Sequence, residues 1–463
     1  MNLHIEPAKV IGLGDEERLQ LAELLDIYES HVWQNRQKEK YYEGAISLSE
    51  VNLGLALPDG VRGLQIGCAW GAKAVDVLAA RSVFDGFVGA DGDDAADLQR
   101  VVTGNNLIAE YPKACRDELK FGCTFATLSS DPQIGCKIRF HSPQTAAAKW
   151  DGNLGRISSG MAIIDGSADP TQPDIWEPNL IYLYTDTAIW RLYSDGYYWR
   201  AERNAHRMGR PMMEPMIWNA TSLKPLGRSR IKEPVRRLID GYVRTIANAT
   251  IGLEFATSPQ KYLLGVTDDQ YDVIINHKFK QYVGSILAST SNPETGEKPT
   301  FGQLQQGSIT PHVEMLRLLA TQFAAATGLS VTDTGVVNDA NPTSSDAIDA
   351  QTRTLVGMAE ELNTGNGNAL VNIARMATAI MNNTALDQLT DEQNGVIAQF
   401  KNPAMPSLAM TADAAVKIAS VRPAFANTDV YFEMLGFSAA DIRRIKAQEQ
   451  RARGLALFEG MGE

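Results

Sequence analysis

The spacing of hydrophobic and polar positions changes several times along the chain, and each change predicts a different kind of element. Leucines and isoleucines recur at helical spacing among charges over the first forty residues, and further helices are predicted near residues 72–83 and 95–121. From Gly122 to Trp218, short apolar stretches are divided by Gly, Pro and Asp, which predicts short β-strands. Helical spacing then returns. We therefore expect a mixed α+β protein.

The clearest turn signal in the β-rich region is Asp195-Gly196, which predicts a tight hairpin between two aromatic-rich arms. The aromatic residues nearby could form a stacking platform for single-stranded nucleic acid. The commoner interpretation is the packed face and the cross-strand pairs of a sheet. These residues are Tyr182, Tyr184, Trp190, Tyr193, Tyr197, Tyr198 and Trp199.

Two helices in the middle of the chain flank a small, turn-rich segment. The first is predicted over 229–257, the second over 309–329, and the segment 258–308 between them is expected to contain β-structure. The two helices could pack side by side beneath that segment.

The second of these helices has start and stop signals in its sequence. Thr310 is predicted as its N-cap, Pro311 as its first residue, and Gly328 as the residue just beyond its end. Val313 is expected on its buried face, together with Leu316, Leu319, Ala320 and Phe323.

A polar loop follows, and then a very long helix. Thr343 and Asp346 have the spacing of a capping box, and the apolar positions from Ile348 to Met381 recur at helical spacing. The segment Asn363–Asn368 carries two glycines in the middle of this pattern, where they would supply a bend.

The amino-acid composition limits the classes of protein to which this chain could belong. The 463 residues are 44% hydrophobic and 21% charged, which suits a large soluble protein with more than one folded unit. No apolar run reaches the roughly 18 residues that a membrane span needs, and no secretory signal is evident, so a cytosolic protein without membrane contact is expected. The four cysteines form no C-x-x-C pair and are expected to be reduced, mostly buried thiols.

The formal net charge is −12. A protein that holds a duplex by its phosphates normally needs an excess of Lys and Arg, because affinity comes from displaced counterions. Static DNA binding is therefore disfavoured. An acidic wall past which DNA slides is compatible with this charge.

One stretch resembles the start of a nucleotide-binding βαβ unit. Gly67-x-x-x-Gly71 follows an apolar stretch and precedes a helix, with Asp91 twenty residues later. This is somewhat like the first motif of S-adenosylmethionine-dependent methyltransferases, and such an enzyme is the alternative function. Ala69 and the bulky Trp70 stand where that loop should be lean, and short β segments follow instead of alternating strands and helices.

The remaining candidate chemistry is sparse. The six histidines are scattered singly, and no metal, cofactor or catalytic group is predicted. Arg230, Arg237 and Arg244 repeat every seven residues, which places them nearly on one stripe of a helix. The stripe could be a solvated face, or it could meet acids of a neighbouring subunit or backbone phosphates.

Several segments, in order along the chain, resemble the portal (head–tail connector) proteins of long-tailed bacteriophages, of the siphophage type. They are "YYEGAISLSEVNLGLALP", "AVDVLAARSVFDGF", "RMGRPMMEPM" leading into "LGRSRIKEPVRRLID", "SPQKYLLG", "DANPTSSDAIDAQTRTLVGMAEE" and "LGFSAADIRRIKAQEQR". The sequence departs from the family where it has "LAAR" for the usual "LAER", and the loop before the long helix is less regular.

The resemblance implies a portal fold and a ring oligomer, usually of twelve subunits. Its parts would be a mixed α/β wing (1–228), two stem helices (229–257 and 309–329), a small α/β clip (258–308), a tunnel loop (330–342), a long kinked helix (343–384) and a C-terminal wing or short helical crown region (385–463).

The resemblance also implies function. Double-stranded DNA would pass through the ring at one capsid vertex during packaging and ejection, and the protein would be non-enzymatic. The partners would be the terminase large subunit, head-completion or adaptor proteins, and the major capsid and scaffold proteins. The protein would be part of the virion, assembled in the host cytoplasm.

The site residues follow from the same resemblance. The tunnel-loop residues beside the DNA would be Thr332, Asp333, Thr334, Asn338, Asp339 and Asn341. The clip residues facing protein partners would be Asp268, Asp269, Glu294 and Glu297.

Overall fold

A computed structural model describes residues 5–47, 65–89, 95–168, 176–195, 197–257, 261–264, 296, 300–303, 308–336, 345–404, 408–437 and 439–460. The chain divides into two compact units, residues 1–400 and residues 401–463, and each is described by itself. Both helices and sheets are present, so the protein belongs to the mixed α+β class that the sequence predicts.

Four helices occur in the N-terminal part of the first unit. They are α1 (Asp15–Glu43), α2 (Trp70–Ala79), α3 (Ala96–Gly104) and α4 (Leu107–Phe121), which confirms the helices predicted there. One face of α1 buries Leu21, Leu24, Leu25 and Tyr28.

The strands follow in the region where the sequence predicts them. They are β1 (Ala45–Ser47), β2 (Gln65–Gly67), β3 (Phe84–Val88), β4 (Cys123–Asp131), β5 (Gly135–His141), β6 (Ala146–Asp151), β7 (Arg156–Ala168), β8 (Trp176–Tyr184), β9 (Ala188–Ser194), β10 (Trp199–Ala205) and β11 (Met213–Ile217). One sheet has the order β10-β9-β8-β7-β6 and another has the order β11-β4-β5. The buried face of α1 packs on the five-stranded sheet and closes a separate small core.

The predicted hairpin at Asp195 is confirmed, with β9 and β10 pairing antiparallel from Ser194 opposite Trp199. The Asp195 carboxylate accepts hydrogen bonds from the backbone N–H groups of Tyr198 (2.8 Å) and Tyr197 (3.0 Å) and from the side chain of Arg200 (2.9 Å). These donors lower the pKa of Asp195 to about 2.

The aromatic residues around this hairpin do not form one platform. Tyr184 and Trp190 are buried, whereas Tyr197 is 90% exposed at the hairpin tip. The sheet-packing interpretation therefore holds for the buried members.

Two helices flank a pair of short antiparallel strands in the middle of the chain. Helix α5 spans Glu233–Thr257 and α6 spans Thr310–Thr327, while β12 (Lys261–Leu264) and β13 (Thr300–Gln303) pair antiparallel between them. The β-structure predicted for 258–308 is therefore confirmed in its described residues. Asp268, Asp269, Glu294 and Glu297 lie outside the described residues.

The details of α6 differ from the prediction at its start. Thr310 is already helical, Ile309 is the N-cap residue, and Ser308 Oγ accepts a hydrogen bond from the Thr310 N–H at 3.2 Å. Val313 was expected in the core but is 42% exposed, because the buried face begins only at Leu319. Gly328 ends the helix with a φ of +69°, as predicted.

The long helix α7 spans Ser345–Asn382 and packs against β4, β5, β11, α2 and α3. A short helix α8 (Asp391–Asn394) and strand β14 (Ile397–Phe400) follow it, and β14 pairs antiparallel with β3. Thr343 of the predicted capping box lies outside the described residues.

In its described residues, the second unit contains the α-helices α9 (Leu408–Val421), α10 (Asp429–Met434) and α11 (Ala439–Gly460). The charged C-terminal helix predicted from the sequence is therefore confirmed. Lys446 on α11 forms an ion pair with Asp429 at the start of α10.

Three further properties concern the described residues as a set. None of their helices combines the length and the hydropathy needed to cross a membrane. No group of three His, Cys, Asp or Glu side chains is placed to hold a metal ion within the described ranges. All four cysteines are buried free thiols, as predicted.

Candidate functional site at the paired helices and the long helix

Helices α5 and α6 pack side by side, as the sequence predicts. Gly241 of α5 faces Leu319 of α6 so closely that a β-carbon on Gly241 would lie 3.2 Å from a Leu319 methyl carbon. Ile239, Val243 and Phe323 are fully buried in the first unit's large core. The small residue therefore lets the two helices approach closely over an apolar contact.

The pair is fastened to the rest of the unit by Arg230, which lies just before α5. Its guanidinium is buried and donates hydrogen bonds to the Thr327 carbonyl oxygen at the end of α6 (2.6 Å) and to the Ala74 carbonyl oxygen in α2. A third N–H lies 3.5 Å from the Met358 sulfur on α7. One side chain thus contacts three helices, α2, α6 and α7.

Burial lowers the pKa of Arg230 to about 10, so the guanidinium remains charged at neutral pH. Carbonyl oxygens satisfy it, and no carboxylate of the described residues pairs with it.

Backbone contacts hold the segment that carries Arg230. Gly227 has a φ of +80°, and a β-carbon there would collide with the Gly122 carbonyl oxygen. The Arg228 N–H donates to the Trp218 carbonyl oxygen at 2.9 Å, and the Arg230 N–H donates to the Leu119 carbonyl oxygen at 2.9 Å. The segment "GRSRI" is therefore held by backbone contacts to the residues around Gly122 and Trp218.

Trp70, the first residue of α2, links the paired helices to the residues that follow α6. Its ring lies 4.6 Å from the ring of Tyr242 on α5 and 4.8 Å from the ring of Phe323 on α6, measured between centroids. Its indole N–H donates to the Thr334 carbonyl oxygen at 3.1 Å. The start of the predicted tunnel loop is thereby fixed to both helices.

The predicted tunnel-loop residues have different environments. Thr332, Asp333 and Thr334 form one turn of 3₁₀-helix, in which Thr332 is exposed and Thr334 is buried. The Asp333 carboxylate accepts hydrogen bonds from the Ser330 N–H (3.0 Å) and hydroxyl (2.7 Å). The Thr334 side chain packs inward, and the placement of these residues beside DNA stays a prediction. Asn338, Asp339 and Asn341 lie outside the described residues.

A buried polar network attaches the middle of α7 to α4. The Asn366 amide donates to the Tyr111 hydroxyl (2.9 Å) and to a Glu118 carboxyl oxygen (2.8 Å), and Tyr111 shares a hydrogen bond with Ser82 (2.6 Å). Glu118 and Asn366 are fully buried. Burial raises the pKa of Glu118 to about 8, against the opposing hydrogen bond from Asn366, so the carboxyl group is mostly protonated at neutral pH.

Two further polar contacts hold α7 near its C-terminal half. Asn372 donates to Glu214 on β11 at 2.7 Å, and Arg375 donates twice to the Asn394 carbonyl oxygen. The helix is unbroken through Gly365 and Gly367, and the bend expected there stays a prediction.

The structure removes Arg230 from the predicted basic stripe, because its side chain lies in the interior. Arg237 has a side chain that is 74% exposed and forms an ion pair with Glu233 at 2.9 Å. Arg244 is partly exposed. The choice between a solvated face and a contact surface therefore remains only for Arg237 and Arg244.

The methyltransferase alternative is not supported. Strand β2 is only three residues long and pairs antiparallel with β1, whereas the motif requires a parallel sheet. Gly71 lies inside α2, where a β-carbon would collide with the Tyr41 carbonyl oxygen of α1, so its lack of a side chain serves helix packing. Asp91 lies outside the described residues.

Several apolar side chains on the paired helices are exposed to solvent in the described unit. Met315 and Leu318 share one face of α6 and are 39% and 52% exposed. Val313 on the same helix and Leu253 on α5 are 42% and 45% exposed.

Comparisons with protein-family models and with curated proteins give no match. Among solved structures, the chain is similar to a chain of the virion of a native gene transfer agent particle, with 13% identity, a TM-score of 0.45, and coverage of 80% of this chain and 90% of that one. It is also similar to chains of the neck of an empty particle computed with C6 symmetry (13%, 0.46, 80% and 90%) and of the neck of a native particle computed with C12 symmetry (14%, 0.45, 81% and 89%). Similarity at this TM-score does not establish a shared fold.

Sequence reasoning missed the roles of Trp70 and of the Glu118–Asn366 pair. The sequence pattern identifies Trp70 only as a residue too bulky for a cofactor loop, although a large aromatic at a helix start is a common packing anchor. Asn366 lies among apolar helix positions, and that placement was the available signal for a buried polar partner.

Replacing Arg230 with Met should lower the free energy of unfolding by about 2–3 kcal/mol, because the carbonyl groups of Ala74 and Thr327 lose their donors. Urea denaturation measures this change. Arg237→Met is the matched control and should change stability by less than about 0.5 kcal/mol, since its side chain is exposed. Equal effects of the two substitutions would contradict the role of Arg230.

Trp70→Phe should keep the ring stacking but remove the hydrogen bond to the Thr334 carbonyl oxygen. We expect about 1 kcal/mol lower stability and faster backbone hydrogen exchange in a peptide covering residues 330–336, followed by mass spectrometry. Trp33→Phe on the exposed face of α1 is the control. Unchanged exchange in that peptide would show that the indole N–H does not hold the turn.

Glu118 should make the protein less stable as pH rises. Its folded-state pKa of about 8 lies above the unfolded value of about 4.5, so only the unfolded chain loses the proton between those values. The free energy of unfolding should therefore fall from pH 5 to pH 8, with this group contributing at most about 1.4 kcal/mol per pH unit.

Glu118→Gln should remove that contribution, because the amide stays neutral at both pH values. Denaturation curves of the variant and the wild type at pH 5 and pH 8 test this. Glu110→Gln on the same helix, where the side chain is 41% exposed, serves as control. A pH slope in Glu118→Gln identical to that of the wild type would refute the assignment.

Proposed function

We propose that the chain is a phage portal protein, the subunit of a ring at one capsid vertex through which double-stranded DNA is packaged and ejected. The observation that carries this proposal is the connection from the paired helices to the long helix. The helices α5 and α6 pack together, and the turn after α6 is fixed to both by Trp70. The 38-residue helix α7 then packs across the strands of the same unit.

This order of elements is the one that the family resemblance implies for stem, clip, stem, tunnel loop and long helix. In a channel, such an arrangement would let a loop beside the DNA transmit its position to the rest of the subunit. Trp70 and the Glu118–Asn366 contact are the two points at which that movement would be held.

Ring formation is supported by the uncovered apolar positions on α5 and α6. Met315 and Leu318 are the kind of side chains that a second copy of the chain would bury. A heterologous contact of this kind closes into a ring when the rotation between copies is appropriate. We propose a dodecamer in the assembled particle.

The net charge of −12 suits a channel through which DNA must move in both directions. Strong phosphate binding would stall the duplex, whereas a repelling surface keeps friction low. We propose Thr332 and the loop residues Asn338, Asp339 and Asn341 as the soft polar contacts.

The proposed partners are the terminase large subunit, head-completion or adaptor proteins, and the major capsid and scaffold proteins. Asp268, Asp269, Glu294 and Glu297 are proposed to face such partners. The protein would be non-enzymatic, with ATP hydrolysed by the motor, and would reside in the virion after assembly in the host cytoplasm.

The proposal is tested by the mass and symmetry of the purified protein, from light scattering and negative-stain imaging. We expect rings with a central hole wide enough for a DNA duplex. A chain that stays monomeric even with its scaffold protein, or that binds S-adenosylmethionine saturably, would contradict the proposal.

Leu318→Glu should abolish or strongly weaken these rings, because a charge would replace an apolar side chain at the contact. Circular dichroism should show an unchanged fold, since Leu318 is 52% exposed in the single chain. Leu19→Glu on α1, where the side chain is 69% exposed, is the matched control and should leave the rings intact. Rings that form equally well in both variants would exclude this face of α6 from the interface.

A further inference from the structure

A cavity of about 490 Å³ lies between α1, the strands β4 and β6, and the segment that leads into α5. Its volume is in the range of small-molecule sites in proteins, about 300–1,000 Å³. The portal proposal gives this cavity no role.

The charges around the cavity are strongly unbalanced. Its lining contains five cationic side chains and a single carboxylate, in a chain whose net charge is −12. The carboxylate is Glu233, which is already shared between Arg236 (2.6 Å) and Arg237 (2.9 Å). Among the described residues, no acid forms an ion pair with the other four cations, Lys38, Lys224, Arg228 and Lys232.

Two cations that line the cavity are incompletely paired. Lys38 has no negatively charged partner, and Arg236 has one N–H without an acceptor. The Lys38 ammonium donates only to neutral oxygens, the Phe121 carbonyl (3.0 Å) and the Asn35 amide (3.1 Å). The Arg236 Nε–H is buried and has no acceptor within the described structure. Burial lowers the pKa of Lys38, and the nearby charges of Arg236 and Lys224 add to this effect.

The lining also includes apolar side chains, among them Ile27, Phe121 and Phe125. A ligand that fills this space would therefore need an apolar, flat or compact part and a group with more than one negative charge. A phosphate ester carries about −1.5 to −2 charges on one group, whereas a carboxylate carries one. Lysine ammonium and arginine guanidinium groups are the usual partners of phosphate oxygens.

We propose that this cavity binds a multiply charged organic phosphate of nucleotide size. Lys38, Lys224 and Arg236 would contact the phosphate oxygens, and the organic part would lie against Phe121 and Phe125. The ligand would be held without being cleaved. Residues just before α5 line part of the cavity, so an occupied site would also brace the start of that helix.

The test is isothermal titration of the whole protein, in chelator and phosphate-free buffer, with ADP and with pyrophosphate. We expect saturable binding of one ADP per chain, weaker binding of pyrophosphate, and an affinity that falls as salt is raised. Lys38→Met should weaken ADP binding at least tenfold, because it removes the charge and keeps the apolar stem. Lys113→Met is the matched control, since that ammonium pairs with Glu110 on the exposed side of α4.

Lys224→Met is a second test in case the Lys38 variant fails to fold. Lys224 is exposed at the rim of the cavity, so its replacement should not affect folding. It should weaken ADP binding severalfold with no change in the thermal melting curve. The proposal is overturned if neither probe binds saturably, or if the Lys38 and Lys113 variants bind ADP alike. It is also overturned if a short DNA duplex or an acidic peptide binds in a Lys38-dependent manner while ADP does not. None of these outcomes depends on whether the protein forms rings.

Discussion

The hydrogen bonds of the buried Arg230 guanidinium are the interaction on which the rest of the first unit depends. They join the end of α6, the middle of α2 and the N-terminal half of α7 at one point. Because its partners are carbonyl oxygens that belong to helices, the position of one helix constrains the others. The close approach of Gly122 and Gly227 brings Arg230 to this point, so two glycines determine where a charge is buried.

Two further attachments hold elements of the same unit together. Trp70 attaches the turn at Thr334 to both paired helices through ring contacts and one hydrogen bond. Asn366 and Glu118 attach α7 through polar contacts in a dry environment, where hydrogen bonds are strong and their loss is costly.

Sequence reasoning predicted much of the fold because local signals agree with the tertiary structure. The Asp195 hairpin, the two central helices and the glycine after α6 all follow from turn chemistry and periodicity. The seven-residue repeat of Arg230, Arg237 and Arg244 gave their direction around a helix but not their depth, and Arg230 precedes the helix altogether. The prediction that Val313 is buried was also wrong, in the other direction, because this side chain is exposed. Helical spacing marks an apolar face but cannot tell which protein surface, if any, covers it.

The protonated state of Glu118 also affects the folding enthalpy that calorimetry records. At neutral pH the unfolded chain carries this carboxylate ionised, whereas burial keeps the proton on it in the folded protein. Through this group, folding at neutral pH therefore takes up protons from the buffer. The enthalpy that a calorimeter records will include the ionisation heat of that buffer, and it will differ between phosphate and Tris even when the protein itself does not change.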